Sequence, residues 1–204
     1  MDLGIVTSYI IAGILIIIIL TVGYNVNFSG NELTLHESQK IKIDAVIDAV
    51  SYDLPKIGYN QNNRPDTMLV YADSTMLQFY SNIDNSNDES LELITWQFST
   101  DPITATDNPN DFYLYRTIDG TSITMGVGIT DFTINYYDEL GSTTPLTLPI
   151  SAIGNKSKID SIVQLELIIE SQSPVALQYS SETTPRYITT TWTKRFSPSN
   201  LNLN

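Results

Sequence analysis

From Leu3 to Tyr24 the stretch LGIVTSYIIAGILIIIILTVGY carries no charge, and Ile, Leu and Val dominate it on every side. No period divides the run into a wet face and a dry one. At 1.5 Å rise per residue, a helix over it spans the roughly 30 Å hydrocarbon core of a bilayer. It therefore predicts a transmembrane anchor and assembly helix carrying Ile5, Tyr9, Gly13, Ile14, Ile17 and Leu20. A buried core helix is seldom this long or this uniformly apolar. A cleaved signal peptide is the rival reading, but it would need a basic leader, and only Met1 and Asp2 precede the run.

The pattern then changes. Asn25, Asn27, Ser29, Gly30 and Asn31 are poor helix formers, so the helix is expected to loosen over about 23–32. From Glu32 it restarts. Ile41, Ala45, Ile47 or Ala49, and Tyr52 recur at helical spacing, while Lys40, Asp44, Asp48 and Asp53 sit largely on another face. This predicts an amphipathic helix over 32–54 whose Ile41–Tyr52 stripe covers a sheet. It stops in DLPKIGY. Pro55 biases Leu54 away from helical geometry and lacks an N–H, Gly58 permits a turn, and Tyr59 is expected against the edge of the head. Pro55, Gly58 and Tyr59 are thus assigned as a hinge between helix and sheet.

Beyond Asn60 the period falls to 2. Segments 67–72 and 75–81 flank Asp73-Ser74 as a hairpin, followed by strands over 90–98, 111–117, 121–125, 130–138, 158–171 and 186–196. Phe132, Ile134 and Tyr136 share one face, as do Val163, Leu165, Leu167 and Ile169. Loops are expected over 82–90 and 101–111. One helix followed by many strands reads as α+β: a long N-terminal helix, half transmembrane and half amphipathic, packed on a mainly antiparallel sheet. The organisation expected is an anchor and joint over 1–31 and an exported α+β head over 32–204, with helix at 32–54 and strands within 60–204.

Composition narrows the function. A net charge of -13, from 23 acidic against 10 basic residues, repels phosphate backbones, and no basic stripe offsets it. Without cysteine there is no disulfide framework, thiolate metal site or Cys nucleophile. The acidic, Thr- and Tyr-rich remainder suggests the exported side; neither flank of the apolar run is basic before Lys40 and Lys42, so charge does not orient it. The single histidine, His36, lies on the helix, where a Ser-His-Asp site has no pocket to use, and it reads as an exposed helix residue. No Gly-rich phosphate loop or paired-His spacing occurs. In DNSNDES, Asp84, Asp88 and Glu89 offer alternating oxygens like the opening of a calcium loop, but Glu89 and Thr95 stand where such a loop needs Gly and Glu. The reading is a solvated acidic loop, with calcium at Asp84, Asp88 and Glu89 as the speculative alternative. No enzyme activity, cofactor or small-molecule substrate is expected.

Four passages in order carry a resemblance. The apolar helix continues into an amphipathic half; YDLPKIGYN brings Asp53, Lys56, Gly58 and Tyr59; FYLYRTIDG through MGVGITDFTINYYDELG brings an Arg-bearing strand and a Phe-x-x-Tyr strand; WTKRFSPSNLNLN closes with an Arg-containing strand and short tail. In this the chain resembles the type IV pilin-like superfamily, nearest to minor pilins and minor pseudopilins of the PilW and GspJ kind. It departs from them at the N-terminus. Gly4 has no base before it, the fifth residue after it is Tyr9 where the family has Glu, and no carboxylate lies between Asp2 and Glu32. These departures stand against standard leader processing and the usual amine–Glu contact.

The resemblance implies a structural subunit of a type IV pilus or type II secretion-like filament. Its partners would be other pilin-like subunits met through the N-terminal helix, and the membrane. Its place would be the inner membrane with a periplasmic or extracellular head, or a surface filament. The alternative expectation is a single-pass anchored binding, adhesin or envelope-scaffold domain that does not polymerise.

Overall fold

The computed structural model describes residues 3–59, 66–85, 90–177 and 185–202. Helix α1 runs Leu3–Asp53 and ends in a 3₁₀ turn, Leu54–Lys56. After it come β1 Leu69–Ala72, β2 Met76–Ser81, β3 Glu92–Pro102, β4 Phe112–Ile118 and β5 Thr121–Tyr137. The chain continues with β6 Ile150–Ser151, α2 Ala152–Asp160, β7 Gln164–Gln172 and β8 Thr189–Phe196, then a second 3₁₀ turn at Ser199–Asn202. The eight strands form one sheet in the order β6-β1-β2-β3-β4-β5-β7-β8. All its pairings are antiparallel. The chain divides into two compact units, Met1–Ser38 and Gln39–Asn204.

The anticipated loosening at 23–32 does not occur: α1 is unbroken through Asn25–Gly30. Propensity differences of at most about 1 kcal/mol per residue yield to propagation, in which each added residue gains a bond on an existing helix. The Thr34 hydroxyl also donates to the Gly30 carbonyl at 2.9 Å, occupying a side chain that could otherwise compete with the helix.

The buried face of α1 is not the Ile41–Tyr52 stripe. Ile41 is 72% exposed and Tyr52 49% exposed. Instead Gln39, Ile43, Val46, Val50 and Asp53 are buried, in alternating steps of four and three, and Leu54 and Ile57 continue the core beyond the helix. Ile41 and Ile43 stand about 200° apart on the helical wheel, so of the stripe chosen from apolar residues Ile41, Ala45 and Tyr52 are exposed, while Ile47 and Ala49 are half-buried at the margin of the core. Asp53, expected on the polar side, is fully buried. The core joins Ile43, Val46 and Val50 to Leu77, Phe79, Trp96, Phe132, Ile134, Leu165 and Leu167 on one face of the sheet. The Trp96 and Phe132 rings stack with centroids 6.2 Å apart.

Two strand expectations are also corrected. Segments 121–125 and 130–138 are one strand, β5, whose first part pairs with β4 and whose second pairs with β7. A register shift at Gly128, where φ is +90°, lets the strand change partners without stopping. The segment 158–171 begins in α2 and becomes strand only at Gln164. Ile159 and Ile162 are both buried three residues apart, a helical interval that a period-2 reading absorbs. Ser151 caps α2, accepting from Ile153 N at 3.2 Å, although the backbone of Ile153–Asn155 departs from helical values.

At the end of the 3₁₀ turn, Gly58 has φ +70° and donates its N–H to Tyr80 O at 2.8 Å. A Cβ there would stand 2.6 Å from Met68 Sδ and 3.2 Å from Asn200 Cβ. The methionine can give way; a β-branched side chain in left-handed backbone cannot relax without moving that hydrogen bond. Gly58→Val is therefore expected to destabilise the fold by about 1–3 kcal/mol. A lowered denaturation midpoint, in the full chain held in detergent, is the expected result; an unchanged one means the turn adapts.

Candidate functional site: an apolar helix surface and a buried clamp

Within the first unit, every residue from Gly4 to Asn27 is exposed. Ile5, Tyr9, Ile14, Ile17 and Leu20, the side chains expected at a membrane or assembly surface, all lie in this stretch with Gly13 among them. The helix is long and apolar enough to cross a membrane. Ser8 and Thr21 turn their hydroxyls back onto the Gly4 and Ile17 carbonyls, at 3.0 and 2.8 Å. These two hydroxyls are thus bonded within the helix itself.

The second unit holds its part of α1 with a buried ion pair. Asp53 is 0% exposed at the last residue of the helix, where carbonyl dipoles disfavour a carboxylate. Arg116 on β4 compensates. Its Nε donates to Oδ2 at 2.6 Å and its Nη2 to Oδ1 at 2.7 Å, a bidentate pair. The Trp96 indole N–H on β3 adds a third bond to Oδ2 at 2.9 Å. Register explains the convergence, since Trp96 and Arg116 are directly paired across β3 and β4. Nearby, Lys56 Nζ donates to Tyr52 Oη at 2.7 Å and to Ile83 O at 3.2 Å, while Tyr52 Oη donates to Ile83 O at 3.0 Å. Ser81 Oγ donates to Lys56 O at 2.8 Å. Both oxygens of Asp53 are committed to donors, so the cluster holds no free base or nucleophile. It joins the helix end to the sheet.

On the opposite sheet face, Glu166 accepts from Arg195 Nε at 2.8 Å and from Tyr137 Oη at 2.9 Å. The Arg195 bond chiefly, then those of Tyr137 and Asn135, hold the Glu166 carboxyl below its ordinary range. A depressed folded pKa contributes stability above the unfolded value of about 4.3, and that contribution is lost as pH falls through the lower folded value. Glu166→Gln is expected to flatten the acid limb of the stability curve below about pH 4. An acid limb as steep as wild type would assign the acid sensitivity to other carboxylates.

The other sequence candidates stay apart. Pro55 is exposed, Gly58 buried and Tyr59 half-buried, with Tyr59 N donating to Lys56 O and Tyr59 O accepting from Asn82 N, both at 2.8 Å. Asp84 is exposed, while Asp88 and Glu89 lie outside the described residues. Among the described residues no group of three or more His, Cys, Asp or Glu side chains gathers to hold a metal. His36 is exposed on α1.

Sequence patterns did not reveal the clamp as a unit. One signal was available: in FYLYRTI, alternation puts Arg116 on the same face as Leu114, and a buried arginine requires a buried anion.

No protein-family model and no curated protein matches the chain. Among solved structures it is similar to a type IV-like pilin from Thermus thermophilus, with 10% sequence identity and a TM-score of 0.47 over 79% of this chain and 97% of that one. So distant a likeness adds no weight to the geometry above.

Proposed function

We propose that this chain is a membrane-anchored structural subunit of a pilin-like or pseudopilin-like assembly. The observation that carries the reading is the apolar surface of α1 from Gly4 to Asn27, uncharged and exposed on all sides. In water such a surface is untenable; lipid or the matching helices of other subunits would cover it. The proposed partners are further pilin-like subunits, and the proposed location is the inner membrane with an exported head, or a surface filament. Assembly then consists of burying Ile14, Ile17 and their neighbours against other helices, with no chemical turnover.

The absence of cysteine allows a clean test. Single replacements Ile10→Cys, Ile14→Cys and Ile17→Cys, oxidised in native membranes, are expected to give reducible covalent species on at least one helical face. Monomer alone at every position would favour an anchored binding or scaffold domain that does not polymerise.

A further inference from the structure

Two stretches of the chain have the pattern Asn-x-Ser with x other than proline: Asn27-Phe28-Ser29 and Asn155-Lys156-Ser157. That pattern is the acceptor signal for N-linked glycosylation, but it also recurs by chance, so local structure must separate a usable site from an idle one. The two stand in opposite settings. Asn27 and Ser29 lie within the unbroken α1, and Asn27 is only about 4.5 Å along the axis from Tyr24, where the uncharged run ends. A transferase must enclose its acceptor segment, and a regular helix emerging from a bilayer offers it no free segment.

Asn155 follows β6, the terminal strand on its side of the sheet. The backbone leaves helical values there, with Gly154 at φ +107° and Asn155 at φ -136° and ψ 44°. Residues 153–158 are all exposed, and a Cβ added to Gly154 would meet nothing within 4 Å. The ends of this bend are held. Ser151 Oγ accepts from Ile153 N at 3.2 Å, and Lys156 Nζ donates to Asp66 O at 2.7 Å and to Asp160 Oδ2 at 2.6 Å. Asn155 is therefore presented on a fixed, outward bend. Beside it Ile153 is 91% exposed, the largest exposure of any large hydrophobic side chain among the described residues. A sugar bonded two residues on would reach that side chain with its C–H face and take its apolar surface out of water.

We propose that Asn155 is an N-glycosylation site. The co-reactant is an oligosaccharide joined through phosphate to a membrane lipid, brought by a membrane transferase on the exported side. Asn155 Nδ2 attacks C1 of the first sugar. The Nδ2–C1 bond forms as the C1–O bond to phosphate breaks, and the lipid phosphate leaves with that electron pair. One amide proton passes to a base of the transferase, and nothing is oxidised or reduced. The Ser157 hydroxyl is the group by which the transferase recognises the acceptor. A glycan here would also screen β6, whose outer edge pairs with no other strand among the described residues. The proposal rests on the reading above that the head is exported.

Mass spectrometry of peptides from the full chain, purified from its own cells, tests it. The peptide containing Asn155 is expected to be heavier than its sequence by whole monosaccharide residues, and the peptide containing Asn27 to have its sequence mass. Asn155→Gln and Ser157→Ala should each abolish the increment, whereas Ser157→Thr, which keeps the hydroxyl, should retain it. All three change exposed side chains, so the fold is expected to be undisturbed. An Asn155 peptide at its bare mass overturns the site, and so does an increment that survives Ser157→Ala. The fate of the export reading is measured separately. Leu140 is 60% exposed, and Leu140→Cys gives the chain its single thiol. Labelling of that thiol in spheroplasts by a membrane-impermeant maleimide, with Asn155 bare, means that the head is exported and only the site fails. No labelling, with Asn155 bare, means that both fail.

Discussion

Replacing Arg116 by Met is expected to lower the stability of the Gln39–Asn204 unit by about 3–5 kcal/mol, the loss characteristic of a buried ion pair stripped of one partner. The side chain of Arg116 is only 16% exposed and that of Asp53 0%, so water cannot replace the guanidinium. What remains to Asp53 is the Trp96 N–H, at a helix end whose carbonyls repel the carboxylate. Trp96→Phe, which removes that one bond to a charged acceptor, should cost about 1.5–3 kcal/mol. The double replacement Asp53→Leu with Arg116→Met should regain most of the loss, since two apolar side chains leave no unpaired charge behind. Urea denaturation of the three variants in one detergent gives the comparison. If Arg116→Met leaves the midpoint where it was, the pair does not fix the helix end to the sheet.

This clamp marks the boundary of what local sequence patterns convey. The apolar run from Leu3 was readable because its residues are alike on all sides, so no choice of face was needed. The β1–β2 hairpin was readable because Asp73 and Ser74 interrupt two alternating segments, and Asp73 N does donate to Met76 O at 2.8 Å. The face of α1 was not, because its two ends are polar. Gln39 and Asp53 are buried only because Ser171 and Arg116 meet them, 132 and 63 residues away along the chain. A pattern that scores apolar positions discards both, and the stripe through Ile41 then looks better than the true one through Ile43, Val46 and Val50. In β5 the glycines that read as a break are a change of partner, which depends on β7 being there to receive the second half. The hinge residues were readable as a helix stop from Pro55 and Gly58, whereas the bonds around Lys56 depend on where residues 81–85 come to rest.

Ile14→Asp is expected to remove the chain from the membrane fraction while the Gln39–Asn204 unit stays folded. Ile14 lies midway along an uncharged segment, and insertion scales put a carboxylate near the bilayer centre at about 2.5–3.5 kcal/mol, a factor of roughly 100 in partition. Nothing within the segment offsets this: the Ser8 and Thr21 hydroxyls are spent on their own helix carbonyls, and no cation lies between Leu3 and Tyr24. An assembled neighbour would offer more of the same apolar surface, so packing between subunits should fail along with lipid residence. The second unit has its own core, from Ile43 through Trp96 and Phe132 to Leu167, and none of it includes Ile14. Its near-ultraviolet circular dichroism, dominated by Trp96 and the buried tyrosines, should match wild type. Ile14→Leu, equal in apolar area, should behave as wild type in both measurements. Sedimentation of Ile14→Asp with membranes or filaments at the wild-type level would mean that this helix does not sit in an apolar environment.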